Sequence, residues 1–90
     1  MDTPQFAQLL AQEGFEPAVT VTREPGGMLA EHTHPFEAQA LILAGEIRIV
    51  TAQGERVYRA GDIFHLAAHE SHSESYGLEG VRYLSGRKPA

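Results

Sequence analysis

The sequence predicts a single small all-β domain, an antiparallel barrel or sandwich preceded by one short helix. Ninety residues are enough for one domain, which we expect to span residues 1–90. Short apolar or alternating segments recur at intervals of about 8–12 residues with turn residues between them, a spacing typical of sandwiches and barrels. Helical spacing of apolar residues occurs only near the N-terminus. We therefore expect a helix over about residues 4–13 and a barrel over about residues 17–85.

The first segment carries the start and stop signals of a helix. Thr3 is a good N-cap, and Pro4 suits the first helical position. Gly14 fits the left-handed position that follows a helix end, and Phe15 could fold back onto Leu10 as in a Schellman motif. We expect this helix to cover one end of a sheet.

After Pro17 the pattern changes to eight short predicted strands. They are expected at about residues 18–22, 28–34, 38–43, 46–51, 56–59, 63–66, 72–76 and 81–85. The second and third could also be one strand that bends at Pro35. We interpret Ala44-Gly45 and Glu79-Gly80 as turns between neighbouring strands, because glycine is common where the chain reverses. The last segment, residues 86–90, is expected to be a frayed tail.

Composition excludes several classes of partner and site. The formal charge is −5, and the six arginines are scattered without forming a basic stripe, so we expect no nucleic-acid partner. The N-terminus lacks the charged and apolar regions of a signal peptide, and no apolar run approaches membrane-spanning length. We therefore expect a cytoplasmic protein without membrane association. Because there is no cysteine, a transition-metal site must use histidine, carboxylate, amide or water.

Three histidines form the pattern with the clearest chemistry. Successive side chains of a strand alternate between its faces, so His32 and His34 point the same way on the second predicted strand. Two imidazoles at this spacing can bind one metal ion. A third ligand, His72, can arrive from a distant strand. Catalytic residues are not indicated by the sequence.

Glycines at fixed distances from these histidines extend the pattern to most of the chain. The matching positions are Gly26, His32, His34 and Gly45 in one motif, and Gly61 and His72 in a second. In these two motifs, over about residues 18–85, the chain resembles the cupins. The resemblance implies a small antiparallel jelly-roll barrel, also called a double-stranded β-helix, with the short helix added at its N-terminus.

The first motif departs from the cupin pattern at one position. Cupins usually have a glutamate there, and this chain has Ala38, flanked by Glu37 and Gln39. On an unbroken strand both flanking residues face away from the site. A bulge at Pro35 could shift the alternation and bring one of them, Gln39 above all, into the pocket.

The second motif also differs, in its turn and at its end. Ala67 replaces a proline, His69 a glycine and Tyr76 an asparagine. Tyr76 could project its phenol toward the pocket. Glu74 shares strand parity with His72, so it could orient a ligand histidine, although such a residue is more often exposed.

The resemblance implies three neutral imidazoles as the ligands of a divalent transition metal, Fe, Mn, Ni or Zn. This ligand set is similar to the three-histidine iron sites of thiol and diketone dioxygenases among the cupins. Three protein ligands leave positions open for water, substrate or O2. Without a carboxylate ligand the ion keeps its full positive charge, which favours an anionic ligand.

Three functions remain open on the sequence. The first is a metal-binding cupin that acts as a dioxygenase-type oxidoreductase on an unidentified small molecule. The second is a non-catalytic module that binds or senses a small molecule. The third is a metal-free isomerase or epimerase with a histidine base and Tyr76 as acid. In each case we expect a homodimer in which the first strand extends the partner's sheet, because so short a chain buries little surface alone.

Overall fold

The computed structural model describes all residues from Met1 to Ala90 as one helix followed by six strands. The elements are α1 (Thr3–Gln12), β1 (Val19–Arg23), β2 (Met28–His32), β3 (Phe36–Thr51), β4 (Gly54–Arg59), β5 (Ile63–Leu66) and β6 (His72–Pro89). The all-β class and the short N-terminal helix are confirmed. No helix combines the length and the apolar character that crossing a bilayer requires.

Two long strands, β3 and β6, organise the molecule. They pair antiparallel along most of their length, and each contributes its two halves to two different sheets. The first sheet has the order β1–β6–β3–β5, and the second has the order β2–β6–β3–β4. Side chains from both sheets form one apolar core between them. This is the jelly-roll arrangement that the sequence predicts.

The two turns predicted inside this framework are wrong. Strand β3 continues through Ala44-Gly45, and strand β6 continues through Glu79-Gly80, without a reversal of the chain. Gly45 and Gly80 both have left-handed φ values, of 79° and 73°, and the register between the strands shifts on both sides of Gly45. A glycine in this conformation serves a β-bulge as well as a turn. Here the bulges let each long strand pass from one sheet to the other, so eight predicted strands become six.

The predicted frayed tail is also wrong. The end of β6 pairs with the start of β3, with Pro89 opposite Phe36 and Gly86 opposite Gln39. Gly86 is buried beneath the helix, where an added β-carbon would lie 2.7 Å from the side chain of Leu10. The last residues therefore complete the first sheet.

The N-cap of the helix lies one residue earlier than predicted. Asp2 is the N-cap: its carboxylate accepts a hydrogen bond from the Gln5 backbone N–H at 2.8 Å, and the Gln5 side chain accepts one from the Asp2 N–H at 2.9 Å. This capping box satisfies two backbone donors at once. With Thr3 as the cap, the residue three positions later would be Phe6, whose side chain cannot accept the second hydrogen bond.

The Schellman end of the helix is confirmed. The Phe15 N–H donates to the Leu10 carbonyl at 2.9 Å and the Gly14 N–H donates to the Ala11 carbonyl at 3.2 Å. Phe15 and Leu10 then pack with Leu41 on the outer face of the first sheet. The helix covers that face, while the outer face of the second sheet has no such cover and leaves Met28 76% exposed.

Candidate metal centre

Three histidine rings converge between the two sheets. His32 ends β2 and His72 begins β6, and the two residues are direct partners across the strands. The ring centroids lie 4.3 Å apart for His32 and His72, 4.9 Å for His32 and His34, and 5.2 Å for His34 and His72. Their ligand nitrogens all lie within 4.8 Å of one another. The predicted trio is therefore brought together at one point of the fold.

His34 reaches this cluster from a different element than expected. β2 ends at His32, so His34 lies in the link before β3 and the alternation of strand side chains does not govern it. Its carbonyl accepts a hydrogen bond of 2.7 Å from the His69 N–H. Its ring stacks on Phe36 with centroids 4.8 Å apart and an interplanar angle of 19°. These two contacts take the place of strand pairing in orienting the side chain.

Two of the rings are held by backbone carbonyls in the orientation that metal binding needs. His32 Nδ1 lies 2.6 Å from the Ala30 carbonyl oxygen, and His72 Nδ1 lies 3.0 Å from the Glu70 carbonyl oxygen. A carbonyl oxygen only accepts, so each Nδ1 carries the proton and donates. The lone pair of each neutral ring is then on Nε2, the atom left for a metal.

The surroundings of His34 favour its neutral ring. Burial lowers the pKa of His34 below its ordinary value of 6.5, and the neighbouring His32 and His72 lower it further. His72 is 1% exposed, and its Nε2 has no hydrogen-bond partner. A buried nitrogen without a partner is costly, and an ion bound to the lone pair would remove that cost. The residues present thus fit a metal that accepts imidazole ligands.

The rings line a cavity of about 70 Å³ that also receives charged side chains. Arg23 from β1 and Arg87 from β6 line it, together with Glu74 and Tyr83. This volume is well below the roughly 300–1,000 Å³ of a typical ligand pocket, so the cavity has room only for a very small molecule or one end of a larger one.

Glu74 and Tyr76 form a buried pair beside the cluster. Glu74 is 8% exposed, and its Oε1 accepts a hydrogen bond of 2.7 Å from the Tyr76 hydroxyl. Its Oε2 lies 3.6 Å from His72 Nε2. Burial raises the pKa of Tyr76 above its ordinary value, and the Glu74 carboxylate raises it further. Tyr76 therefore points its hydroxyl at Glu74, and its ring belongs to the core.

The residues that flank Ala38 do not enter the site. Pairing of β3 with β5 and β6 is regular near its start, so no bulge shifts the alternation there. Ala38 points into the core and lines the cavity, while Gln39 and Glu37 lie on the opposite face of β3. The expectation that Gln39 could reach the pocket is therefore wrong. Glu37 instead pairs with the ring of His65 outside the cluster.

Sequence reasoning missed the two arginines of the cavity and underestimated the burial of Glu74. Arg23 lies opposite Val81, and Arg87 lies opposite Ala38, positions that depend on strand register. No local sequence signal fixes that register. The parity of Glu74 with His72 was the one signal available, and it does place both side chains on the inner face.

Comparison with known proteins identifies the fold family. A family model described as "Cupin domain" matches residues 19–85. A search of curated proteins found no match.

Solved structures give the same result. An RmlC-like cupin from Shewanella frigidimarina aligns with a TM-score of 0.70 and 23% identity over 82% of this chain and 66% of its own, so the present chain spans slightly less than two thirds of that relative. KdgF from a Halomonas species aligns with a TM-score of 0.71 and 19% identity, over 82% of this chain and 69% of its own. An oxalate decarboxylase from Lactobacillus farciminis, solved as a formate complex, aligns with a TM-score of 0.69 and 25% identity. That alignment covers 80% of this chain but 23% of the decarboxylase.

Proposed function

Because this chain belongs to the cupin family, we propose that it is a metal-dependent oxidoreductase of the dioxygenase type that acts on a small anionic molecule. In this proposal His32, His34 and His72 hold one divalent ion, Fe, Mn, Ni or Zn. The observation that carries it is the convergence of three ring nitrogens, one of them the buried and unpartnered Nε2 of His72.

In this proposal the protein contributes ligands that are already oriented and leaves coordination positions free. The Ala30 and Glu70 carbonyls fix the rings of His32 and His72, so two ligands are oriented before an ion binds. Three protein ligands leave coordination positions open toward the cavity. A bound ion would supply Lewis acidity and a binding position for O2 or water. Imidazoles accept most first-row metals, so the ligand set does not select one of them.

The proposed substrate class follows from the charges that line the cavity. The guanidinium of Arg87 lies over the ring of Phe36, with Cζ 4.6 Å from the ring centroid, and Arg23 lines the same cavity from β1. Two guanidinium groups near a divalent ion attract an anion, and a guanidinium can bind a carboxylate through two hydrogen bonds. With a cavity of about 70 Å³, we infer that the carboxylate end of a small substrate enters and the remainder stays outside.

Elemental analysis of protein purified without a histidine tag tests the metal site. Wild-type protein is expected to carry close to one ion per chain, and a double variant, His32→Ala with His72→Ala, is expected to carry none. The matched control is His65→Ala, which removes an exposed histidine that pairs with Glu37 outside the cluster and should retain the ion. Wild-type protein that stays free of metal after incubation with each candidate ion would contradict the proposal.

Oxygen uptake then tests the reaction type. Metal-loaded wild-type protein should consume O2 with one or more small carboxylates from a panel, and the double variant should not.

The second candidate function, a module that only binds a small anion, is favoured by the small volume of the cavity. It would be supported by carboxylate binding to the loaded protein without oxygen uptake on any member of the panel.

A metal-free isomerase is the least supported of the three functions. It would need Tyr76 as the acid, but the Tyr76 hydroxyl donates to Glu74 and its pKa is raised, so it gives up its proton less readily than a free tyrosine.

The homodimer and the cytoplasmic location stay predictions. The proposal of a dimer is supported by the position of β1, which is the terminal strand of its sheet and leaves one edge free for a second chain. Light scattering on the purified protein would show a mass of two chains if the proposal is right and of one chain if it is wrong.

A further inference from the structure

We propose that Glu74 is a fourth protein ligand of the ion, so that the centre takes a carboxylate from β6. The inference rests on the proposed function, because it requires that the three histidines bind a metal. It differs from what the sequence alone indicates, which is a site of three neutral imidazoles with no carboxylate.

The spacing between Glu74 and His72 is close to that of two ligands of one ion. Glu74 Oε2 lies 3.6 Å from His72 Nε2, which is too long for a hydrogen bond, and Nε2 has no partner. Two donor atoms that each lie about 2.1 Å from one ion are roughly 3.0–3.4 Å apart at octahedral or tetrahedral angles. A shift of a few tenths of an ångström would therefore let one ion contact both of these atoms. Glu74 lies outside the group of donor atoms that are within 4.8 Å of one another, so an ion that also contacts His32 and His34 requires a further movement of the Glu74 side chain.

The surroundings of Glu74 leave its Oε2 atom free to contact an ion. Its cross-strand partners are Leu29 on β2 and Ile49 on β3, and neither side chain can donate a hydrogen bond. Tyr76 donates to Oε1 and so holds the carboxylate in place. No arginine or lysine forms an ion pair with Glu74. A carboxylate that is 8% exposed without a cationic partner is costly, and a metal ion would supply the missing charge.

A carboxylate ligand would change the character of the centre. It lowers the net charge of the ion and its protein ligands by one, and it adds an oxygen donor to three nitrogens. Oxygen donors suit Mn and Fe better than an all-imidazole set does. An octahedral ion would still keep two open positions for a substrate and a second small ligand.

Metal titration of four proteins tests the assignment. Metal-free wild type, Glu74→Gln, Glu37→Gln and the double histidine variant are titrated with Co²⁺, and affinities are measured by competition with a chromophoric chelator. Glu74→Gln is expected to weaken Co²⁺ binding by more than about tenfold and to change the visible spectrum of bound Co²⁺. About tenfold is the smallest loss of metal affinity that is typical when a residue supporting a ligand is removed, and loss of a ligand should exceed it. Glu37→Gln removes a carboxylate that pairs with His65 outside the cluster and should match wild type in both readouts.

Two outcomes would overturn the proposal. One is an unchanged affinity and spectrum in Glu74→Gln. The other is a weaker affinity with an unchanged Co²⁺ spectrum, which would mean that the carboxylate acts from outside the coordination sphere. If wild type itself binds no Co²⁺, the proposed function fails, and this inference fails with it. If wild type binds Co²⁺ and Glu74→Gln binds it equally well with the same spectrum, only this inference fails and the proposed function stands.

An infrared measurement keeps the test valid if Glu74→Gln does not fold. The difference spectrum of wild-type protein with and without Zn²⁺ should show a shift in a carboxylate stretching band. The absence of any carboxylate shift on metal binding would overturn the assignment without the use of a variant.

Discussion

Gly45 lies directly against the backbone of Gly80: a β-carbon added to Gly45 would lie 2.1 Å from the Gly80 carbonyl oxygen. The two glycines lie in bulges of β3 and β6, the strands that both sheets share. Their close approach lets the two long strands bend together, so the backbone that carries His72 faces the backbone that carries Ala38 across the cavity. The two halves of each strand thereby belong to different sheets, and the three histidine rings lie between those sheets.

Replacing Gly45 by alanine should therefore destabilise the fold severely. The methyl group would clash with backbone atoms, which cannot move aside, and alanine would also be strained at a φ of 79°. We expect the free energy of unfolding in urea to fall by more than about 3 kcal/mol. Gly26→Ala is the matched control, since Gly26 has a φ of 67° but nothing within 4 Å of its added β-carbon, and we expect it to lose about 1–2 kcal/mol. Equal losses in the two variants would show that conformational strain, and not close contact, explains the role of Gly45.

Stability of the metal-free protein should fall in mild acid because of His34. Its pKa is lowered in the folded state by burial and by the other two histidines, while in the unfolded chain it returns to about 6.5. Below that pH the unfolded chain therefore binds a proton that the folded protein does not, and the free energy of unfolding decreases as the pH falls toward the folded pKa. Urea midpoints measured between pH 5 and pH 8 should decline toward acid more steeply in wild type than in His34→Ala. Parallel curves for the two proteins would contradict this account.

Tyr76 should make the folded protein less stable in alkali. Its pKa is raised in the folded state by burial and by the Glu74 carboxylate, so above about pH 10 the unfolded chain loses a proton that the folded protein retains. The stabilisation is present below pH 10 and is lost as the pH rises through the folded pKa. We expect Tyr76→Phe to flatten the decline of the urea midpoint above pH 10. Some slope should remain, because burial also raises the pKa of Tyr83.

The same variant should cost stability at neutral pH. Without the hydroxyl, Glu74 Oε1 loses its hydrogen bond while it stays buried, and an unsatisfied buried acceptor costs about 1–3 kcal/mol. Tyr76→Phe that is as stable as wild type at pH 7 would show that water or another group replaces the tyrosine.

His69 stands where the cupin motif has glycine, and it keeps the backbone that glycine would adopt. Its φ is 64°, and its N–H donates to the His34 carbonyl. We expect His69→Gly to change the free energy of unfolding by between zero and about +1 kcal/mol, since relief of left-handed strain is partly offset by the larger entropy of glycine in the unfolded chain. His69→Val, with a branched β-carbon, should lose about 1–2 kcal/mol. A loss of more than about 1 kcal/mol in His69→Gly would show that the imidazole itself makes a stabilising contact.

What the sequence determined by itself is the set of features that depend on near neighbours along the chain. The helix end at Gly14 and Phe15 follows from hydrogen bonds that span five residues, and the pattern of motif glycines and histidines was sufficient to indicate the fold family. The shared inner face of His72 and Glu74 follows from strand alternation.

The tertiary structure alone decided features in which distant segments meet. Gly45 and Gly80 have the same local preference in a turn as in a bulge, and only their contact with each other selects the bulge. His34 reaches the cluster from a link because His69 and Phe36 hold it there, and Arg23 and Arg87 line the cavity through strand register. Local preference is set by bonds within a few residues, whereas register and burial are set by which surfaces pack together, and that choice minimises the free energy of the whole chain.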